Sequence, residues 1–587
     1  MKLKSQRIVS WFLLFLALGF SAVVRYRLLS FPLDRDEGEY AYAGQLLLSG
    51  VPPYKFAYNM KLPGTYLAFA GLMAVFGQTT EGVHFGLLAV NLAAIVLLFV
   101  LTRQLFDDIT AGAAVVNYSI LSISVSMFGM NAHATHFVSF YGLAGTIVLW
   151  RYTRFRDWRL AVSSGLLLGL AFLMKQQGLF LIVFGEICLL VRIIFDRESR
   201  WFGSLRELAA YNVGATLPYL LTCLWLWYAG VWDSFKFWTI DYAAHYVQYI
   251  TWREGFDRGL KGTYWVIGNN YPLWLLAALG LIAVSAKILM RLISAVRDRM
   301  TDQTPLAAWS MNIEACWFVC GYLVFSAMCV LPSFIFRQHY FVVIQPALAI
   351  LAGIGCRLFG GQFDKASMKD SRHSNGTTGE KQEPSYLPSV DPVAAAEPSI
   401  DHWYRSVIVL TLAVIPTVLL QAGFFFLTDP MRLCRQLYGA NPFPECQTIA
   451  NYVREHTQTT DTIAVLGSEP QLYFLSQRRS ATGFIYTYPM MEPQPFAHRM
   501  HEQMIAEIER AVPAYIVDVQ VIYSWMEQNN GEKLLFEWKQ SYLERYYKRV
   551  GVVCIIGGRS TVYHWDREAE SFIPKADGYV VVYQRTS

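Results

Sequence analysis

The chain has 587 residues, of which 54% are hydrophobic and 16% charged, with a mean hydropathy of +0.30. That composition excludes a soluble enzyme or a disordered protein and points to a polytopic membrane protein. The net charge of +5 is spread over loops, and no basic-aromatic stripe suggests a nucleic-acid groove.

In chain order, Ile8–Val24 predicts the first span, preceded by Lys2, Lys4 and Arg7. It lacks a small-residue cleavage site and reads as a retained helix rather than a removed signal peptide. Residues 25–62 form an acidic loop. Pro63–Phe76 is apolar but only about 14 residues long, which suits an interfacial or re-entrant helix better than a span. Further spans fit near 83–102, 109–129, 135–150, 160–174, 178–195, 208–230, 271–290, 313–335, 339–359 and 406–427, eleven in all. Loops 151–159, 192–206 and 287–299 each hold four Lys or Arg, whereas the turn Met130–Ala134 has none. This positive-inside pattern predicts a cytoplasmic N-terminus and an outer C-terminus. The acidic loop, the long loop 231–270 and the turn Arg337-Gln338-His339-Tyr340 then share the outer face, where chemistry would have to meet.

The expected organisation is a transmembrane catalytic unit over 1–360, a disordered cytoplasmic linker over 361–404, a last span over 405–427 and a soluble outer domain over 428–587. In that domain Asp461–Gly467, Ala514–Val519, Arg549–Gly557 and Tyr579–Gln584 read as strands. Glu445–His456, Pro495–Ala511 and Glu532–Arg545 read as helices, which predicts a mixed α/β class. Of the nine cysteines only 434, 446 and 554 lie in it, and a Cys434–Cys446 bridge is an open option that spacing alone does not establish.

The stretch Asp34-Arg35-Asp36-Glu37-Gly38-Glu39-Tyr40 places four carboxylates at the mouth of a bilayer, a costly desolvation. Asp36 followed by Glu39 is a capping-box pattern, and Tyr40, Ala43 and Leu47 continue at helical spacing. Capping explains two of the acids without chemistry. It leaves Asp34, Glu37 and the later Lys61-Leu62-Pro63-Gly64 unexplained.

An Asp-Glu pair after the first span, a short amphipathic helix and then Lys-x-Pro resembles the C-type glycosyltransferase superfamily. The nearest branches are the protein O-mannosyltransferases and the lipid A aminoarabinose transferase. The resemblance covers roughly the first 350 residues and implies transfer of one sugar from a polyprenyl-phosphate donor to an envelope acceptor (protein, lipid or glycan) outside the membrane, with inversion. It implies the plasma membrane of a bacterium, membrane lipid as surroundings and no nucleic-acid partner. By the same resemblance Asp36 is the base, with Glu37 a second polar contact at the catalytic centre. Lys61, Lys175 and Arg337, with His339 and Tyr340, take the leaving phosphate.

Asp34, Tyr40, His133, Asp241 and His245 complete the substrate-binding candidates. Each candidate also has an ordinary reading: a snorkelling lysine at Lys61, an interfacial arginine-aromatic anchor at Arg337, turn residues at His133 and His136, belt aromatics around Asp241 and His245. Relatives carry a Glu before the Lys-x-Pro lysine where this chain has Met60, a poor ligand for hard cations, so no cofactor or tightly bound metal is expected. Were an ion bound, Asp34, Glu37, Asp241 and His245 are the candidate ligands. The alternatives are a transporter, for which no inverted repeat is visible, and a non-catalytic protein that binds lipid-linked glycan.

Overall fold

The computed structural model describes residues 2–195, 201–247, 250–297, 311–360, 402–528, 531–576 and 578–586. The N-terminal part is helical: α1 (Lys2–Arg27), α2 (Arg35–Leu48), α3 (Gly64–Phe76), α4 (Thr80–Leu105), α5 (Asp108–Leu121), α6 (Ala134–Phe155), α7 (Trp158–Met174), α8 (Leu179–Phe195) and α9 (Trp201–Tyr228). There follow α10 (Trp232–Lys236), α11 (Ala243–Val247), α12 (Trp252–Ile267), α13 (Tyr271–Arg297), α14 (Ile313–Met328), α15 (Gln345–Arg357) and α16 (Trp403–Leu420). The loop expected over 231–270 is therefore largely helical.

Among the described residues six helical stretches are long and apolar enough to cross a membrane: Lys4–Arg27, Thr80–Leu105, Gln176–Ile194, Trp252–Ala295, Gln338–Gly360 and Trp403–Leu420. Helices α3, α7 and α14 are apolar but shorter. A helix stands at each of the eleven positions expected as spans, of which six fall in the long apolar stretches and two more, α7 and α14, are apolar but shorter. Small residues let these helices approach closely, as lipid-facing bundles require. A Cβ on Gly165 would stand 2.2 Å from the Tyr211 carbonyl oxygen, and one on Gly280 1.9 Å from that of Leu351. Residues 361–401, most of the expected linker, lie outside the described residues, as do 196–200 and 298–299 of the basic loops.

The C-terminal region holds α17 (Pro430–Tyr438), α18 (Phe443–Glu455), β1 (Thr462–Leu466), α19 (Gln471–Ser476), β2 (Arg479–Ser480), α20 (Tyr488–Met491), α21 (Ala497–Ala511), β3 (Tyr515–Gln520), α22 (Ile522–Trp525), α23 (Leu534–Tyr546), β4 (Tyr547–Ile556), β5 (Ser560–Trp565), α24 (Arg567–Ser571) and β6 (Gly578–Arg585). Its sheet runs β2-β1-β3-β6-β4-β5, parallel at β2-β1-β3 and antiparallel elsewhere. The mixed α/β class is as expected, with β2 and β5 added. Cys434 and Cys446 are both free and buried, so the optional bridge is not formed.

This region sits directly on the acidic helix. Gly38 of α2 faces Gln471, whose backbone nitrogen would lie 2.6 Å from a Cβ there. The Tyr42 ring packs tilted against Tyr473 (5.1 Å) and its hydroxyl accepts from the Ser480 N–H at 2.8 Å. The Tyr58 N–H donates to the Gly483 carbonyl at 2.7 Å.

Candidate active site

The first turn of α2 organises the site. Its N-cap is Asp34, not Asp36: the Asp34 side chain accepts from the Glu37 N–H at 2.9 Å, and Glu37 accepts from the Asp34 N–H at 3.3 Å. The capping box read from the sequence at Asp36 and Glu39 is thus shifted by two residues. That shift leaves Asp36 free of any helix-capping duty.

Asp36 opens instead onto a cavity of about 150 Å³, walled by Asp34, His133, Arg337, His339, Tyr438 and Tyr486 among others. Lys61 Nζ donates to its Oδ1 at 2.7 Å, and the Tyr486 hydroxyl donates to the same oxygen at 3.1 Å. On its other oxygen, His133 Nδ1 stands 3.8 Å away and His339 Nε2 3.9 Å away, the two imidazoles stacked with centroids 3.9 Å apart. Burial alone would raise the Asp36 carboxyl. Lys61, with Arg337 adding, outweighs it and holds the carboxyl well below its ordinary value.

Lys61 is shared, since Glu39 accepts from it at 2.6 Å and from the Tyr66 hydroxyl at 2.5 Å. Burial and the Asp36 charge, against the pull of Lys61, hold Glu39 above its ordinary value. Asp34, buried and facing Glu37 and Asp36, is likewise held well above its own. The lysine ammonium also lies over the Tyr40 ring at 4.6 Å and the Tyr486 ring at 5.4 Å. Glu39 was missed in the sequence because the misplaced capping box had already given it a task.

Glu37 has a different surrounding. It is fully buried and holds His84 Nε2 at 2.9 Å, Asn131 Nδ2 at 2.6 Å and the Ala132 N–H at 2.5 Å, in addition to the Asp34 N–H. Its acceptor capacity is filled by the protein. It ties α2 to α4 and to the turn that carries His133.

Lys175 ends α7 with its ammonium 3.8 Å over the Tyr340 ring, and Arg337 and Gln338 line the cavity. Asp241 and His245 are not brought in. Both are exposed, and the His245 ring lies beside Phe496 at 5.3 Å. The aromatic loop that carries them serves docking: Trp238 stacks on Tyr58 at 5.8 Å, and the Tyr242 hydroxyl donates to Glu492 at 2.8 Å.

The C-terminal region supplies what no local sequence signal announced. Tyr486 reaches Asp36, the Tyr438 hydroxyl donates to Asp34 at 3.3 Å and Asn131 at 3.1 Å, and Arg35 pairs with the buried Glu469 at 2.5 Å. Asp36, His133 and His339 each present a donor atom within 4.8 Å of the others, a set that could hold a divalent ion. His133 Nδ1 is buried without a hydrogen-bond partner, and burial brings that imidazole down to about 4, so it is neutral. The four ligands named from the sequence do not gather, because Glu37 is occupied and Asp241 and His245 lie elsewhere.

Residues 61–228 match the family model described as dolichyl-phosphate-mannose-protein mannosyltransferase. Among solved structures, ArnT from Cupriavidus metallidurans bound to undecaprenyl phosphate superposes with a TM-score of 0.52 at 13% identity, over 97% of each chain. Its apo state gives 0.51 at 13% identity, again over 97% of each chain. The chain has the fold of the C-type membrane glycosyltransferases. The archaeal oligosaccharyltransferase AglB from Archaeoglobus fulgidus gives 0.49 at 12% identity, over 96% of this chain and 75% of that one. No curated protein sequence matches the chain. In this C-type fold the acidic helix α2, the His133 turn and the Arg337–Tyr340 segment, far apart in sequence, enclose one cavity.

Proposed function

We propose that the protein transfers a single sugar from a polyprenyl-phosphate donor to a cell-envelope acceptor on the outer face of the membrane, with inversion. The observation that carries this reading is Asp36, a carboxylate free of capping, held ionised by Lys61 and open to a cavity between two neutral-range imidazoles and Arg337. The family-model match, which starts at Lys61, and the undecaprenyl phosphate bound by ArnT support the donor class.

Asp36 accepts the proton of the attacking oxygen. A carboxylate held so low is a weak base while Lys61 stays on it. An entering phosphate draws that ammonium toward itself, and Asp36 regains basicity as the donor seats. Burial beside Glu37 and Asp36 raises Asp34 while Lys61 lowers Asp36, so the two acids are pushed apart in affinity, the usual mark of divided acid and base roles. Arg337 and Lys175 meet the charge that grows on the departing phosphate. Glu37 positions this machinery through His84 and Asn131.

Protein in lipid nanodiscs, supplied with a panel of polyprenyl-phosphate sugars, should release polyprenyl phosphate. Envelope glycans from a deletion strain should lose one sugar by mass spectrometry. Solute transport with no release from any donor would favour the transporter reading, and donor binding without release the non-catalytic one.

Lys175 gives the donor step a pH dependence. Burial, with Lys61 and Arg337 adding and Asp36 opposing, brings its ammonium down to about 7. It is charged below that value and neutral above it. The donor KM should therefore climb as pH rises through about 7, and Lys175→Met should flatten the climb. A wild-type KM that is level across this window removes Lys175 from the phosphate site.

Because Lys61 already meets the Asp36 charge, we propose that turnover needs no tightly bound divalent ion. Enzyme treated with a strong chelator and desalted should keep most of its activity. Loss that Mn²⁺, Mg²⁺ or Zn²⁺ restores would refute this and assign the ion to Asp36, His133 and His339.

A further inference from the structure

Helix α12 has three faces. Gly255, Gly259, Gly262 and Val266 recur at helical spacing along one of them. Phe334 and Phe336 pack into that face: a Cβ on Gly255 would stand 2.7 Å from the Phe334 Cβ, and one on Gly262 2.9 Å from the Phe336 carbonyl oxygen. Beside it, Trp252, Phe256 and Leu260, every fourth residue, are 80%, 70% and 58% exposed. Arg253, Glu254, Asp257, Arg258 and Lys261 occupy the remaining arc, which ends toward α13 in Tyr264 and Trp265. Thr251 caps the helix start in a capping box with Glu254.

One side packed on protein, one apolar and uncovered, one charged: this is how a helix lies in a bilayer interface, its apolar side among acyl chains and its charges in water. Continuity names the occupant of the apolar side. After Gly268–Asn270 the chain runs straight into α13, within the apolar stretch long enough to cross a membrane. Tyr264 and Trp265 stand exposed at that junction, as interfacial aromatics do.

The segment under the glycine face is strained. Ser333, Phe334 and Phe336 have φ of 64°, 51° and 52°, a left-handed backbone that bulky residues keep only where their surroundings hold it. The next residue is Arg337, followed by Gln338 and His339 at the Asp36 cavity.

We propose that α12 is a membrane-seated clamp. Its apolar face rests in the lipid interface on the side of Asp36, and its glycine face grips Phe334 and Phe336 so that Arg337 and His339 reach the cavity. Phe334 and Phe336 are positioning residues. The catalytic consequence rests on the sugar-transfer reading; the seat and the grip have readouts that do not.

Spin labels at Phe256→Cys and Asp257→Cys, in nanodiscs of phosphatidylethanolamine and phosphatidylglycerol, test the seat. The first label should be relaxed by lipid-soluble oxygen and the second by a water-soluble nickel chelate. Equal water access at both sites overturns the seat. For the grip, a Gln338→Cys thiol should react several-fold faster with a soluble maleimide once Gly255→Ala or Gly262→Ala is added. In chains with native Gln338 the same glycine variants should raise the donor KM and lower kcat/KM about 100-fold, the cost of an ångström of misplacement at a reacting centre. Loss of folded protein alone would lower kcat at constant KM. Gly259→Ala meets only the far edge of the Phe336 ring, at 3.2 Å, and should shift both readouts less, in the same direction. Unchanged labelling and unchanged KM in Gly255→Ala and Gly262→Ala overturn the clamp. Faster labelling in a protein that transfers no sugar keeps the clamp and refutes the functional reading instead.

Discussion

Asp36→Asn should lower turnover at least ~100-fold, the range expected for a lost general base, while leaving the protein as stable as the parent. The two halves of this result belong together because Asp34, not Asp36, caps α2. An amide at position 36 removes no backbone partner, and Tyr486 and Lys61 can still donate to its oxygen. What is lost is the negative charge that accepts the proton. On the proposed reading donor binding should be retained, since Lys61, Arg337 and Lys175 all remain to meet the phosphate. Stopped turnover with an unchanged melting profile and retained polyprenyl-phosphate binding is the pattern to look for. A fully active Asp36→Asn enzyme would sink the catalytic assignment, and a badly destabilised one would mean that the carboxylate is structural.

Glu37→Ala should do the opposite kind of damage. Glu37 is fully buried and serves His84, Asn131, the Ala132 N–H and the Asp34 N–H together. Removing one partner from a buried charged network typically costs 3–5 kcal/mol, roughly, because the groups left behind stay desolvated and unmet. That is comparable to the net stability of many domains. The expected result is a large fall in the thermal midpoint in detergent, with activity lost through unfolding. Glu37→Gln, which keeps the shape but not the charge, should sit between the two. An alanine variant that melts like the parent yet turns over slowly would return Glu37 to the chemistry.

Much of this site was legible before the structure. Asp36, Lys61, His133, Lys175, Arg337, His339 and Tyr340 were read from separate stretches, and around Asp36 they converge. Polar residues at the ends of apolar segments have few reasons to be there, so each carried information. The capping register was not legible, because Asp34-x-x-Glu37 and Asp36-x-x-Glu39 satisfy the same pattern and only backbone geometry separates them. Asp241 and His245 misled for a related reason. An aromatic-rich loop has the same composition whether it stacks on a sugar or packs against a neighbouring domain. The pairings of Tyr486, Tyr438 and Glu469 with α2 span about four hundred residues of chain, and no local propensity encodes such contacts. In the C-terminal region the buried strands β1, β3, β4 and β6 announced themselves as apolar runs. Strand β5 is only half-buried, and the two-residue β2 offers no period to read.

The Tyr486–Asp36 and Arg35–Glu469 contacts also set an order of events at birth. A chain emerges from the ribosome N-terminus first, and its early parts fold while later ones are still being made. Asp36, His133 and His339 are made well before residue 486 exists. Until then Asp36 lacks its tyrosine donor, Arg35 lacks its carboxylate, and Gly38 faces an empty notch. The pocket is finished only once the stretch from Tyr438 to Tyr488 has been made. A chain made only to residue 485 therefore holds an Asp36 cavity with a wall missing, and synthesis through residue 488 is what closes it.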